Sequence, residues 1–489
     1  VALAAGVLVL TSGCGGTLVD RAEIEAVGNG YSAPAATGNP VAASADGSTD
    51  TVPAAVAATA AGLATAAAPA VHASTTATSS AKPAAGSTGK TTAAQSAAAP
   101  AVGSAKAAVP IGDQPCKRQL APIVIGQTLA TSGLIGATIG NLRQGLALWA
   151  KDVNGRGGVQ CHPVQVISLD DGSDSARVSS NWNTLIHDRG AIAMLAAGEP
   201  ITSGALRVSA ERDKVPVIGG DVVTLDWFES QYFFPQGAHP FTAYDGSTVD
   251  AAKAHPQAKN AAIIYCVEAS ICTQIKGNFP NSAKLAGLNV VGAKAVSLTQ
   301  SDYTAECQTF KDAKADIVWL ALDGSANTRF ARSCASLNYY PQLATSAIGI
   351  PPAAAGDPSL QKDTVYLGSQ NVPFSTTDTP GAAAFHLALA RYAPGFQPDE
   401  NTLAGWTSGK VFEAAMAKTA TQAHAGNVTT AMVLDGLWQL KNEKLDGLAA
   451  GVTFTKGETA RTPRCYYTLL LAAGGVTAPF GSKIKCLDH

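Results

Sequence analysis

Charge is scarce in this 489-residue chain: Asp, Glu, Lys and Arg make up 14% of it, and the net charge is -2. With no basic surplus to neutralise phosphates, nucleic acid is excluded as the main partner. Aromatic residues are missing from the first part, where Tyr31 is the one Trp, Tyr or Phe before Cys116. Residues 31–110 are instead Ala, Thr, Ser, Pro and Gly with scattered Val, too little apolar surface to offset the entropy of ordering. Familiar catalytic signatures are lacking too: there is no GxSxG, no HExxH and no paired-Cys metal spacing. The eight histidines (His72, His162, His187, His239, His255, His386, His424 and His489) are scattered, with no pair at metal-ligand spacing. No enzyme, metal or cofactor is therefore expected. One phosphate-loop look-alike, Ala84 to Thr91 (AAGSTGKT), has neither the strand before it nor the helix after it that phosphate binding requires.

The length exceeds a single ordinary domain, so two compact units and an additional segment are expected. The chain begins VALAAGVLVL, an apolar run of signal-peptide length and too short to span a bilayer. It leads into Thr11-Ser12-Gly13-Cys14, which resembles a bacterial lipoprotein signal. That resemblance implies a signal over residues 1–13, lipidation of Cys14 and attachment to the extracytoplasmic face of the cell membrane. The other reading is an ordinary cleaved signal followed by a chance Cys. Residues 14–115 read as a stalk spanning roughly 50–60 Å at 5–6 Å × √n.

Of nine cysteines, eight lie from Cys116 onward, outside any CxxC spacing, an even set that suits disulfides in an oxidising compartment. From Cys116 the texture also changes to alternating strands and helices. Strands are expected at 123–127, 164–169, 191–196 and 216–218, with helices at 139–153, 175–188 and 202–212. A second series follows residue 241: strands at 261–267, 290–295, 316–320 and 364–368, with helices at 274–285, 302–312 and 326–337. Helices at 382–392, 403–419 and 429–440 and a hairpin-like end from residue 452 complete the chain. Two runs of βα units predict an α/β fold of two lobes, each a doubly wound, mostly parallel sheet, with ligands bound at the carboxyl ends of strands.

One stretch is more specific. Strand one is followed by Thr131-Ser132-Gly133 and Gly140, then by a helix ending AKDVNGRGGV, then by strand VQVISL ending in Asp170-Asp171. This resembles the type I periplasmic binding fold, in particular the branched-chain amino acid (leucine/isoleucine/valine) binding family of ABC transporter substrate-binding lipoproteins. Without the family, Gly157-Gly158 still reads as a turn taken through positive φ. The resemblance implies lobe 1 at 116–240 plus 372–452 and lobe 2 at 241–371 plus 453–489. The three hinge crossings then fall near 236–241, 368–372 and 451–454. It further implies a monomeric protein that captures a small polar solute, an amino acid or related compound, by hinged closure and delivers it to an ABC permease. A ligand-sensing lipoprotein of the same fold, reporting to a signalling partner, is the alternative.

On this layout the disulfides expected are Cys116–Cys161, Cys266–Cys272, Cys307–Cys334 and Cys465–Cys486. The strand-end loops supply the site candidates: Ser132, Glu199, Thr202, Gly220, Asp221, Glu268, Ser270 and Asp323. Four carboxylates near one cleft would suit a cationic or polyhydroxylated ligand. The same residue types are also favoured as helix caps at strand-to-helix turns, and that reading stays open.

Overall fold

The computed structural model describes Cys116, residues 118–362 and residues 364–487. The expected signal, Cys14 and the stalk lie outside the described residues. The first sheet is built on β1 (Ile123–Leu129), an almost fully buried apolar strand that pairs in parallel with β2 (Val164–Asp170) and β3 (Met194–Ala197). Strands β4 (Val217–Gly220) and β5 (Phe233–Phe234) complete the order β2-β1-β3-β4-β5. Helix α1 (Asn141–Gly155) buries Leu142, Leu146, Trp149 and Val153, one stripe at helical spacing. It leaves through Gly157 and Gly158 at φ +107° and +90°, values that other residues rarely adopt. Helices α2 (Ser175–Asn183) and α3 (Ser203–Asp213) complete the first βα run.

The chain enters the second lobe through α4 (Pro240–Ala254). Strands and helices then alternate: β6 (Asn260–Cys266), α5 (Ser270–Leu285), β7 (Asn289–Val296), α6 (Thr304–Asp312), β8 (Ile317–Ala321), α7 (Gly324–Ser336), β9 (Gln342–Ser346) and β10 (Val365–Ser369). Helices α8 (Pro380–Tyr392), α9 (Glu400–Lys418) and α10 (Thr430–Leu437) return to the first lobe, where residues of all three share one core with α1. Strands β11 (Cys465–Ala472), β12 (Gly475–Thr477) and β13 (Lys485–Cys486) close the second sheet. Its order is β12-β11-β10-β9-β8-β6-β7, with β13 on β11 and β11 antiparallel to β10.

The fold is the two-lobed α/β type I arrangement, with three connections between lobes. Two leave the ends of β5 and β10. Before the third, Thr453 bridges to Arg461 and the Phe454 ring packs on Phe234 at 5.1 Å, so this arm rests on the first lobe's core. The chain rejoins the second sheet at Cys465.

Besides the two-residue β5, two elements escape the sequence pattern. Helix α4 carries no apolar stripe because it is covered on nearly all sides, burying Thr242, Asp245, Ser247, Thr248 and Asp250 beside Tyr244 and Val249. Strand β9 (QLATS) has too few apolar residues to announce itself, yet it lies between β8 and β10. Four disulfides join Cys116–Cys161, Cys266–Cys272, Cys307–Cys334 and Cys465–Cys486, the pairs that the strand layout suggests. Among the described residues, no helix is long and apolar enough to cross a membrane.

Candidate ligand-binding site

The loops after the strands of both sheets converge on a cleft, and the lobes meet across it. Leu129, Ile135, Ile139 and Leu142 of the first lobe join the apolar core of the second. Polar ties reinforce the contact. The Gly324 N–H donates to Thr138 Oγ1 at 3.1 Å, and that hydroxyl lies 3.5 Å from Asp323 Oδ2. Asn401 Nδ2 donates to both Thr138 O (2.9 Å) and Ile348 O (3.0 Å), and Tyr244 OH donates to Val223 O at 3.3 Å. Because Thr138 holds a helix start of the opposite lobe, Thr138→Val is expected to weaken the contact between the lobes by about 1–2 kcal/mol. Small-angle scattering should then show a larger radius of gyration than for the unchanged protein.

Between the lobes lies a cavity of about 100 Å³. The first lobe lines it with Ile135, Ile139, Pro200, Ile201 and Val223; the second with Tyr244, Ile271, Ile275, Leu298, Trp319 and Leu322. The Cys266–Cys272 disulfide braces one wall. Apart from the Tyr244 and Trp319 rings, whose O–H and N–H bond to Val223 O and Ser247, the polar lining is Thr138, Asp323, Thr345 and Ser346, and Thr345 spends its hydroxyl on Leu320 O at 2.8 Å. No Lys, Arg or His lines it.

Of the eight residues singled out from sequence, Asp323 lines this cavity. It is also the N-cap of α7, accepting from Ala326 N at 3.1 Å and Ser325 N at 3.0 Å. Burial raises its pKa, opposed by those two bonds. The others turn onto their own lobes. Ser132 Oγ donates to Asp170, which also accepts from Thr131 N and Gly172 N. Burial opposes these bonds, but together they hold the Asp170 pKa at about 2.

Asp221 ties the loops after β3 and β4. It accepts from Glu199 N at 2.6 Å, Val223 N at 3.1 Å and Trp227 Nε1 at 3.1 Å, while full burial pushes its pKa to about 6. Glu199 accepts from Thr202 Oγ1. Burial, then the neighbouring Asp171 charge, raises the Glu199 carboxyl pKa well above the usual carboxylate value. Gly220 sets the approach of β4 to β3, since a Cβ there would lie 2.0 Å from Ala197 O. Glu268 accepts from Ser297 Oγ (2.6 Å) and Leu298 N (2.9 Å), tying β6 to β7. Ser270 starts α5 and is exposed.

The cavity wall was therefore missed by one or two residues in each loop: Ile201 lies between Glu199 and Thr202, Val223 follows Asp221, and Ala269 and Ile271 flank Ser270. The arrangement can desolvate a small apolar body and has Asp323 and Ser346 on its wall for a polar end, the Thr138 and Thr345 hydroxyls being engaged with protein partners. Among the described residues, no group of three His, Cys, Asp or Glu could hold a metal.

Comparisons with known proteins agree with this fold. The periplasmic binding protein family model matches residues 122–475. Among solved structures, a fatty acid ABC transporter substrate-binding protein from Thermomonospora curvata is similar, with TM-score 0.63 and 18% identity over 74% of this chain and 93% of that one. The branched-chain amino acid transporter substrate-binding protein LivJ from Streptococcus pneumoniae, in complex with isoleucine, has TM-score 0.60 and 17% identity over 73% and 98%. An ABC transporter solute-binding protein from R. palustris, in complex with benzoate, has TM-score 0.60 and 15% identity over 75% and 98%. With a two-lobed head, an interlobe cavity and a family match over most of its length, the chain belongs to the periplasmic binding protein family and has the type I fold.

Proposed function

We propose that the chain is the extracytoplasmic solute-binding component of an ABC importer, and that it binds its solute without transforming it. The solute is small, with an apolar body no larger than a short branched chain or a single ring. One observation carries this reading: the cavity is walled by aliphatic and aromatic side chains and holds a single carboxylate. Its volume of about 100 Å³ is comparable with that of an engineered apolar cavity of roughly 150 Å³ that binds benzene. The neighbours described with a fatty acid, isoleucine and benzoate point the same way, since each of these has an apolar body. An amino acid with a branched or aromatic side chain falls within this class; a polyamine or sugar does not.

In this reading lobe 1 comprises residues 116–240 and 372–461, lobe 2 comprises 241–371 and 462–489, and closure brings their walls together around the solute. The lipidated Cys14 and stalk would hold the head at the membrane beside its permease. A melting-temperature screen tests the ligand class, because cleft binding stabilises by about 2.7 kcal/mol at a hundred times Kd. Branched-chain and aromatic amino acids, benzoate and short alkanoates should include the stabilising solutes; arginine, spermidine and glucose should not. Stabilisation by the second set alone would overturn the reading.

A further inference from the structure

Where the first and third connections between the lobes meet, an open groove of about 1050 Å³ runs alongside them. Its floor is the contact between those connections, the His239 N–H donating to Thr462 Oγ1 at 3.1 Å. A row of rings lies here: Phe228 to His239 at 4.6 Å between centroids, and His239 to Phe241 at 5.4 Å. Burial, then the Arg464 charge, lowers the His239 pKa to about 4, so the middle ring is neutral near pH 7.

Three basic side chains, Lys284, Arg461 and Arg464, line the groove against one acid, Asp245. Asp245 Oδ1 already accepts from Asn278 (2.8 Å) and Ser282, and Oδ2 lies 3.9 Å from Arg464. Arg461 pairs with Glu458 at 2.8 Å, an exposed contact that costs little to exchange. Lys284 is exposed on α5 at the groove wall. Rings beside an excess of cations favour a flat anion, since stacking and charge pairing act at once.

We propose that this groove is a second ligand site, which takes a small aromatic anion such as an aryl carboxylate or aryl phosphate. The ring lies along Phe228, His239 and Phe241, and the charge faces Lys284, Arg461 and Arg464. No residue is shared with the interlobe cavity. The walls come from both lobes: Phe228 and Ala460 share the first lobe's core, whereas Lys284 and Asn278 stand on α5 of the second. An anion bound here therefore spans the hinge, and whatever factor it applies to cleft affinity the cleft solute applies to it in return.

The test uses 1-naphthoate as probe, titrated calorimetrically into the full chain at low salt. Binding should weaken about tenfold or more in Lys284→Glu/Arg461→Glu, as expected for reversing charges at the site. It should be retained in Ile201→Trp, which fills the interlobe cavity, and a melting temperature close to that of the unchanged chain shows that the double variant is folded. No binding at millimolar probe, equal binding by the double variant, or loss of binding in Ile201→Trp would each overturn the proposal.

Discussion

Glu400→Gln is expected to make the protein more stable than its parent at pH 8–9, with the difference shrinking to little near pH 4.5. Glu400 sits at the start of α9, fully buried, with Oε1 2.5 Å from Ser369 Oγ at the end of β10. The Ser369 hydroxyl is also 2.8 Å from Asn371 O, which can only accept. One hydroxyl proton cannot serve both acceptors, so when it goes to Asn371 a protonated Glu400 donates to Ser369. Burial, then the adjacent Asp399 charge, pushes the Glu400 pKa from 4.5 to about 8.

A carboxyl whose folded pKa lies above its unfolded value stabilises the fold fully below the unfolded value. That contribution is lost as pH rises through the folded one. The parent should thus lose stability between about pH 4.5 and 8, by a full difference on the order of 4 kcal/mol from this group. Gln, neutral at every pH, removes that share of the slope. Asp221, raised to about 6, leaves a smaller decline of the same sign in both proteins. Denaturant midpoints measured from pH 4.5 to 9 should diverge with rising pH; parallel profiles would contradict the assignment.

Trp319→Ala should cost about 3–5 kcal/mol, the range for removing a large ring from a packed core. Trp319 is 2% exposed on β8, between β6 and β9. Its ring meets Tyr244 edge-on at 5.1 Å, and Nε1 donates to Ser247 Oγ at 3.1 Å. Truncation removes all of these contacts and leaves Ser247 without its donor. The same ring walls the interlobe cavity, so the variant should also accept a bulkier apolar solute than its parent. Urea denaturation reads the first effect; a loss under 1 kcal/mol would mean that Trp319 is not the wall described.

The order of βα units was legible because most strands are short apolar runs and most helices carry a 3.6-residue stripe. The pattern fails where burial is not one-sided. Helix α4 is enclosed, so polar Asp245, Ser247 and Asp250 face inward beside Tyr244, and no stripe survives. The site was legible at the level of loops but not of side chains. Polar residues at strand ends are conspicuous in a sequence, yet whether they face a ligand depends on partners far along the chain. Asp221 turns to Trp227, Ser132 to Asp170 and Glu268 to Ser297, and each is satisfied within its own lobe. The neighbouring apolar residues, Ile201, Val223 and Ile271, have no such partners and are left to form the wall.

The most direct test is calorimetric binding of the most strongly stabilising solute to the unchanged chain and to Ile201→Trp. Ile201 is only partly buried on the loop after β3, so a larger ring there fills the cavity with little cost to the core. Binding that falls by two orders of magnitude or more in Ile201→Trp, with an unchanged melting temperature in the absence of solute, is the predicted result. Equal affinity in both proteins would place the solute elsewhere and contradict capture in the apolar interlobe cavity.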